Sequence, residues 1–359
     1  MSTRVDTHAA ALEGRLAALR EKHWWIAYER AREAVLRMQD LGAHRTTTSS
    51  PSAYWTEELL GFAYLFDPSP LVVEKLRQHC FHITGVKVYD YRTGDGRSHA
   101  MLEERLRALE QIGGADLLIP EPRELGGFGF EIDGGLHNVD SLKYSETLMA
   151  LRRGGALREF LDPSRRTFAW EIGGGYGGLA YAFAHACPNT TYIITDLPEL
   201  FLFSGTFLQA CFPDAKLVFY GDCPVEEIDW GSADFVFLPN YDTAALTPPR
   251  VDLTLNTVSF QEMTAAQVDE YSRRAAEVRS TYLYSLNRER SFYNEEIDSV
   301  HDIMGRYYRL HEVPMLPTSY VKVFSKPAKP AAKGEGPQNP PPRKDNDYRH
   351  MIGWRRTLR

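Results

Sequence analysis

Cysteine is scarce in this sequence, and its spacing excludes two classes of protein. Only four cysteines occur in 359 residues, and no two of them form a CxxC pair: Cys80, Cys187, Cys211 and Cys223. This scatter is unlike the framework of a disulfide-stapled secreted protein or the ligand set of a structural zinc site. We therefore expect reduced thiols in a cytoplasmic protein, and no bound metal.

Long apolar runs and an excess of positive charge are also missing. No stretch approaches the roughly 20 apolar residues that cross a bilayer, and the first residues contain no apolar signal segment. Lysine and arginine number 41 against 48 aspartate and glutamate residues, a net charge of −7. These features predict neither a membrane nor a nucleic-acid partner. A small-molecule or saccharide substrate fits them, and a homo-oligomer stays open.

The chain divides into four regions by composition. Residues 1–50 carry a helical apolar pattern and a polar linker, and 51–165 are mainly helical, a candidate substrate or cap region. Residues 166–326 alternate strand and helix patterns, which predicts an α/β domain with a mostly parallel sheet. Its last strand, near residues 319–324, is expected to be antiparallel. The proline- and lysine-rich residues 327–359 predict a disordered tail.

The most informative motif is Trp-Glu-Ile-Gly-Gly-Gly-Tyr-Gly-Gly at 170–178, after a buried strand. Its glycines satisfy both the GxGxxG dinucleotide pattern and an acidic-x-G-x-G-x-G pattern that starts at Glu171. In both, the turn needs glycine conformations and lets a ligand approach bare backbone. The following helix then presents N–H groups to an anion.

Glu171 distinguishes the two patterns, because a carboxylate beside the turn repels a diphosphate and attracts an ammonium group. S-adenosylmethionine carries an ammonium, a sulfonium, a carboxylate and a ribose, but no phosphate. Asp196, which ends the next strand, is placed to accept both ribose hydroxyls. The predicted cofactor residues are Glu171, Gly173, Gly174, Gly175, Asp196, Leu197 and Asn240.

Two segments are candidates for the part of the site that contacts the adenine ring of this nucleoside. Asp222 follows a strand candidate at 217–220, and Asn240-Tyr241-Asp242 follows another at 235–238. The second is preferred as the third strand of the nucleotide-binding half, since its connection to the strand at 251 has the short length expected between neighbours.

These motifs resemble those of class I S-adenosylmethionine-dependent methyltransferases and, more narrowly, a family of bacterial sugar O-methyltransferases. The resemblance covers roughly residues 50–325 and includes Thr-Asp-Leu-Pro-Glu (195–199), Phe-Leu-Pro-Asn (237–240) and Ser-Phe-Gln-Glu-Met (259–263). It implies a Rossmann-like sheet, S-adenosylmethionine as cofactor and methyl transfer to a sugar hydroxyl. Plant-type O-methyltransferases, which share the Asp-Leu-Pro-Glu pattern, place a base histidine where this chain has Gln261, so that mechanism is not carried over.

The base that accepts the hydroxyl proton has two main candidates. Glu262 lies between the strand at 251–258 and a helix whose start is marked by a Thr264–Gln267 capping box. Its alternative role is structural, because a carboxylate there interacts favourably with the positive N-terminal end of the helix dipole. His137 lies in a glycine-rich hairpin or loop at 120–141. His311 is a third candidate, and a magnesium-assisted variant could use Asp140, Glu262 or Asp242.

Two other functions stay open at this point. One is an NAD(P)-dependent oxidoreductase that uses the GxGxxG turn, which Glu171 and the long helical region before the turn disfavour. The other is a non-catalytic protein that retains the cofactor site, since the base histidine is absent. Neither the sugar nor its reacting hydroxyl can be read from the sequence.

Overall fold

The structure is a computed structural model that describes residues 2–42, 49–92, 96–290, 297, 299–316 and 347–356. Residues 45–48 of the linker predicted at 45–53, and the strand predicted at 319–324, therefore lie outside the described residues. Among the residues that are described, no helix combines the length and apolarity needed to cross a membrane.

The first part of the chain is helical, as predicted. Its first pattern forms two helices, broken at Glu21 and Lys22, where a single helix was expected. The second helix buries one face, including Tyr28, Ala31 and Val35. The helices are α1 (Ser2–Arg20), α2 (His23–Leu41), α3 (Ala53–Gly61), α4 (Pro70–Val73), α5 (Leu76–His79), α6 (Phe81–Thr84), α7 (Tyr89–Arg92) and α8 (Gly96–Gly113).

A small hairpin links this region to the long helix before the sheet. Strands β1 (Phe130–Ile132) and β2 (Gly135–His137) pair antiparallel, which confirms the predicted hairpin. Helix α9 (Val139–Arg153) follows at once, because Asn138 caps it in a reciprocal capping box with Ser141. This cap fixes the first turn of α9 beside the carboxyl ends of the sheet strands.

Within the described residues, eight strands form the main sheet, and helices cover its faces. In chain order these elements are β3 (Thr167–Ile172), α10 (Gly178–Ala186), β4 (Thr190–Asp196), α11 (Phe201–Cys211), β5 (Leu217–Phe219), β6 (Phe235–Pro239), β7 (Leu253–Thr257), α12 (Ala265–Glu277), β8 (Tyr282–Asn287), α13 (Val300–Met304), β9 (Tyr308–Glu312) and β10 (Arg349–Arg355). The capping box predicted from Thr264 and Gln267 opens α12.

The strand order is β5-β6-β4-β3-β7-β8-β10-β9. The pairs from β5 to β8 are all parallel, and β10 is antiparallel to both of its neighbours. The Rossmann-like, mostly parallel sheet is thus confirmed, whereas the strand predicted to be antiparallel at 319–324 is untested. The chain winds outward from β3 in both directions, so the crevice where the order reverses lies at the carboxyl ends of β3, β4 and β7.

The antiparallel strand corrects the prediction of a disordered tail over 327–359. Residues 349–355 form β10, inserted between β8 and β9, with Met351 and Ile352 buried. The composition of the tail did not predict this strand. Its apolar run is short and lies beside charged and proline-rich residues, and it becomes a strand only by pairing with β8 and β9. Residues 317–346 lie outside the described part of the chain.

One hydrophobic core joins the helical region to the sheet. Side chains from α2, α8 and α9 pack in the same cluster as residues of α10, α11 and one face of the strands. A second cluster fills the opposite face, between the strands, α12 and α13. The helices before the sheet and the helices on this face of the sheet therefore share one core.

Candidate functional site

A cavity of about 480 Å³ opens at the carboxyl ends of β3, β4, β6 and β7. Its volume is in the range of cavities that hold drug-sized ligands. The sheet supplies one wall, and the other consists of α3, α6 and its following loop, and the first turn of α9. Segments far apart in sequence therefore meet here, from Ser50 to Tyr348.

The glycine turn after β3 forms the cavity floor. Gly173 and Gly175 have φ angles of +75° and +56°, which side chains rarely adopt. A Cβ atom on Gly173 would also collide with the hydroxyl of Ser259, which belongs to the turn after β7. The turn thus requires glycine for its backbone and for the close approach of the neighbouring strand.

Glu171 lies under this turn with only 2% of its surface exposed. Its Oε2 accepts a hydrogen bond of 3.0 Å from the hydroxyl of Tyr192. Burial raises the pKa of Glu171 to about 8, and the nearby Asp196 adds to the rise. A buried carboxylate with one neutral donor gains from a cation placed beside it.

Asp196 ends β4 and bonds across to the glycine turn. Its Oδ2 accepts from the Gly175 N–H and its Oδ1 from the Leu197 N–H, each at 2.8 Å. Each oxygen retains a second lone pair for a ligand hydroxyl. Burial raises the pKa of Asp196 to about 7 despite these backbone bonds.

Asn240 lines the cavity just beyond β6 and carries an unsatisfied acceptor. Its Nδ2 donates to the carbonyl of Ser49 at 2.6 Å, while its buried Oδ1 has no hydrogen-bond partner. β6 pairs directly with β4, whereas β5 is the outer edge strand. The preference for β6 as third strand is therefore confirmed, and Asp222, outside the cavity, pairs with Arg37.

The turn after β7 carries strain that points to function. Val258 has a φ of +68°, an unfavourable conformation for a β-branched residue. Asn256, fully buried, holds the turn by donating to the Ile172 carbonyl at 2.8 Å and accepting from the Phe260 N–H at 3.0 Å. These bonds direct the turn, with Glu262 following it, into the crevice.

Glu262 lines the cavity beside a tryptophan and a lysine. It accepts a hydrogen bond from Trp55, and the charge of Lys143 acts on it. Burial nevertheless raises the pKa of Glu262 to about 8, with Asp196 and Glu58 adding to the rise. A carboxyl group with such a pKa is suited to exchange a proton near neutral pH.

The histidine candidates lie elsewhere. His137 is 8% exposed, but it is not among the described residues that line the cavity, and burial lowers its pKa. His311 is on β9, where its ring packs against Trp354. The geometry therefore brings Glu262, and neither of these two histidines, to the predicted cofactor residues.

Several residues that meet at one end of the cavity were not predicted from the sequence as site residues. Lys143, Tyr144, Trp55 and Tyr348 line this end together with Glu262. Tyr348 accepts a hydrogen bond of 3.2 Å from Gln261, the residue at the position of the plant-type base. The spacing of Asp140 and Lys143, one turn apart on α9, was a local signal; nothing local predicted Tyr348.

A magnesium site receives no support from the described side chains. No group of three or more histidine, cysteine, aspartate or glutamate residues is arranged there to hold a metal. Asp140 is paired with Arg77 and Lys143, and Asp242 accepts from the Tyr220 hydroxyl at 2.7 Å. The three acids suggested for such a site therefore do not converge on one point.

No family model matches the sequence, and no curated protein matches it at a significant level. Among solved structures, the pyocyanin biosynthetic protein PhzM aligns with 14% identity and a TM-score of 0.34 over 58% of this chain and 57% of its own. Synechocystis magnesium protoporphyrin IX methyltransferase, solved with bound SAM, aligns with 12% identity and a TM-score of 0.34 over 62% and 86%. An Aquifex aeolicus SAM-dependent methyltransferase aligns with 13% identity and a TM-score of 0.32 over 56% of this chain and 88% of its own.

The chain thus spans little more than half of PhzM, and less than half (47%) of EvdMO1. Likenesses this distant carry no argument about activity or substrate, which rest on the site itself.

Proposed function

We propose that this protein is an S-adenosylmethionine-dependent O-methyltransferase that acts on a hydroxyl of a sugar. The observation that carries the proposal is the arrangement of Glu171, Asp196 and Asn240 around one glycine turn, with Glu262 at the other end of the same cavity. Glu171, Asp196 and Asn240 suit the binding of a cationic nucleoside, and Glu262 is suited to remove a proton from the acceptor.

The residues present fit the cofactor in charge and in hydrogen-bonding capacity. Asp196 has acceptor capacity left for two ribose hydroxyls, and the unsatisfied Oδ1 of Asn240 can accept from an adenine amino group. The glycine turn leaves the backbone bare for the amino-acid end of the cofactor, whose ammonium Glu171 would offset. When bound, S-adenosylmethionine supplies an activated methyl group whose bond to sulfur breaks with the electron pair kept by sulfur.

The charge of the cavity argues against a dinucleotide. Five acidic residues line it, and Lys143 is the only lysine or arginine among the described lining residues: Asp90, Asp140, Glu171, Asp196 and Glu262 are the acids. A pyrophosphate placed at the turn would face Glu171 and Asp196, and none of the described lining residues offers it a guanidinium. The oxidoreductase alternative is therefore not favoured.

Glu262 is the group of this chain that can accept the proton. As the acceptor oxygen bonds to the methyl carbon, its hydroxyl proton passes to the Glu262 carboxylate. The enclosing helices exclude water and align the hydroxyl, which is the main task left when the leaving group is already activated. A retained base argues for catalysis over a purely cofactor-binding role.

A sugar acceptor suits the opposite end of the cavity. Trp55, Tyr144 and Tyr348 offer aromatic faces on which a sugar ring can stack, beside the polar Glu262 and Lys143. Because acids outnumber basic residues here, an uncharged glycoside or amino sugar fits better than a nucleotide diphosphate sugar.

The direct test combines calorimetry with product analysis. S-adenosylhomocysteine should bind and NADP should not, and a labelled methyl donor should transfer label to the hydroxyl of an uncharged sugar in a panel of glycosides, amino sugars and nucleotide sugars. Binding of NADP without S-adenosylhomocysteine would contradict the cofactor. Label on nitrogen or carbon acceptors alone would contradict the O-methyl specificity.

A further inference from the structure

Four buried charged side chains form a continuous chain that ends in the cavity. Glu121 Oε1 is 2.6 Å from Arg77 Nε, Arg77 Nη2 is 2.9 Å from Asp140 Oδ2, and Asp140 Oδ1 is 3.2 Å from Lys143 Nζ. We call these four residues the buried ion chain. The first three side chains are at most 2% exposed and that of Lys143 is 10% exposed.

The buried ion chain is better explained by function than by stability. Charges alternate along it, so it is neutral as a whole, and buried ion pairs seldom stabilise more than apolar side chains of equal size would. Arg77 also stacks at 4.2 Å over Tyr176, in the glycine turn. The buried ion chain thus fixes the position of one ammonium group, that of Lys143, relative to both ends of the cavity.

Charged and titratable groups surround Lys143 on every side. Asp140 and Tyr144 lie on its own helix, and Tyr348 approaches from the C-terminal segment. From the sheet side, Lys143 acts on Glu171 and Glu262. Since Asp196 and Glu58 oppose the ionisation of Glu262, Lys143 is the one cation among its described neighbours that favours it.

We propose that Lys143 is a positioning residue of the acceptor site: its ammonium, fixed by the buried ion chain, favours the ionised form of the Glu262 carboxyl, which is the form that can accept a proton. The catalytic meaning of this inference rests on the proposed function, but its electrostatic part does not. A lysine not held by Asp140 would turn toward water, and Glu262, surrounded by acids, would then ionise and act as a base only at higher pH.

The experiment compares two neutral replacements, a charged replacement and a surface control. Lys143→Met and Lys143→Gln remove the charge, Lys143→Arg retains it, and Lys22→Met alters an exposed lysine outside the cavity. Carboxyl-carbon NMR of glutamate-labelled, ligand-free protein follows the titration of Glu262, whose signal is identified by its loss in Glu262→Gln. Methyl transfer is measured over the same pH range, and calorimetry gives the S-adenosylhomocysteine affinity.

In the neutral variants we expect the Glu262 titration midpoint to rise by about one pH unit or more. The ascending limb of the turnover profile should move with it, so that turnover at pH 7 falls about tenfold, with cofactor affinity changed much less. Lys143→Arg should stay close to wild type, and Lys22→Met should match it.

A midpoint that stays within a few tenths of a pH unit in both neutral variants would overturn the proposal, as would a shifted midpoint with an unchanged pH profile of turnover. Failure of the wild-type protein to bind S-adenosylhomocysteine would instead overturn the proposed function. The NMR midpoint would still decide whether Lys143 controls Glu262. Circular dichroism identifies any variant that fails to fold, and Gln serves in place of Met in that case.

Discussion

At the scale of single residues, identical side chains differ in role because of what surrounds them. Asp196 and Asp222 both lie near the carboxyl end of a strand in the same half of the sheet. Asp196 is buried at the glycine turn and accepts from backbone N–H groups, whereas Asp222 is exposed and paired with Arg37. Only the first can serve a ligand.

This contrast supplies a matched pair of variants. Asp196→Asn should weaken S-adenosylhomocysteine binding about tenfold or more, because a neutral amide replaces charge-assisted acceptance of ribose hydroxyls. Asp222→Asn should leave the affinity within twofold. Titration calorimetry at pH 7.5 measures both, and equal affinities for the two variants would contradict the assignment of Asp196.

Glu262 and His137 form the second residue-scale comparison. Glu262→Gln should lower turnover about a hundredfold, since the amide cannot accept the hydroxyl proton, while cofactor affinity changes little. His137→Gln should retain most of the activity, because His137 does not line the cavity.

The pH profile tests the same assignment independently. With Glu262 as base, kcat/KM should rise with pH and level off above about 8, the value to which burial raises its pKa. The residual activity of Glu262→Gln should lack this ascending limb. An ascending limb retained in that variant, or a larger loss in His137→Gln, would make Glu262 an orienting residue only.

At the scale of elements, β10 is the piece whose role is least evident from its composition. It supplies hydrogen bonds to β8 on one side and β9 on the other, and Tyr348 just before it reaches the cavity. His350, within β10, bonds to Tyr284 at 2.7 Å and to Glu146 on α9 at 3.2 Å. The C-terminal segment thus holds the helix that carries Lys143.

We expect β10 to be needed for stability as well as for the site. Ile352→Ala, at a fully buried position, should lower the free energy of unfolding by about 2–5 kcal/mol through lost packing. Arg355→Ala, exposed at the end of the same strand, should change it by less than about 0.5 kcal/mol. Urea unfolding followed by circular dichroism measures both. Equal midpoints would mean that β10 is not part of the cooperative core.

At the scale of the whole molecule, the cavity concentrates carboxyl groups that the fold has removed from water. Burial raises the pKa of Glu171 and Glu262 to about 8 and that of Asp196 to about 7. The folded protein therefore holds protons that the unfolded chain releases near pH 4 to 5. Its stability without ligand should fall as pH rises from about 5 to 8, because the unfolded state binds fewer protons there.

A cationic ligand should reverse this trend. Binding of S-adenosylmethionine favours the ionised carboxylates, so protons should be released to the buffer at pH 7. Calorimetry in buffers with different ionisation enthalpies measures the number released, and the rise in unfolding temperature on binding should be larger at pH 8 than at pH 6. Proton uptake, or a stabilisation that declines with pH, would contradict a cation at this site. Sodium chloride at matched ionic strength is the control.

Local patterns were sufficient for much of the fold. The strand–helix alternation, the glycine turn and the Thr264–Gln267 cap are each specified within a few residues, so the parallel sheet and several residues that line the cavity could be predicted. His137 was attractive for the same reason: it lies in a glycine-rich segment beside polar residues. Its side-chain direction, however, depends on how the hairpin packs, which its neighbours in sequence do not encode.

The sequence by itself determined the ligand-facing turn, because glycine conformations and strand-ending acids depend only on local backbone geometry. Tertiary structure alone decided the proposed acceptor end of the cavity, where Trp55, Lys143, Glu262 and Tyr348 meet from four distant segments. It also decided the ionisation of these groups, since pKa values depend on burial and on charges brought together through space. The final strand belongs to this second class, because its pairing partners lie more than thirty residues away along the chain.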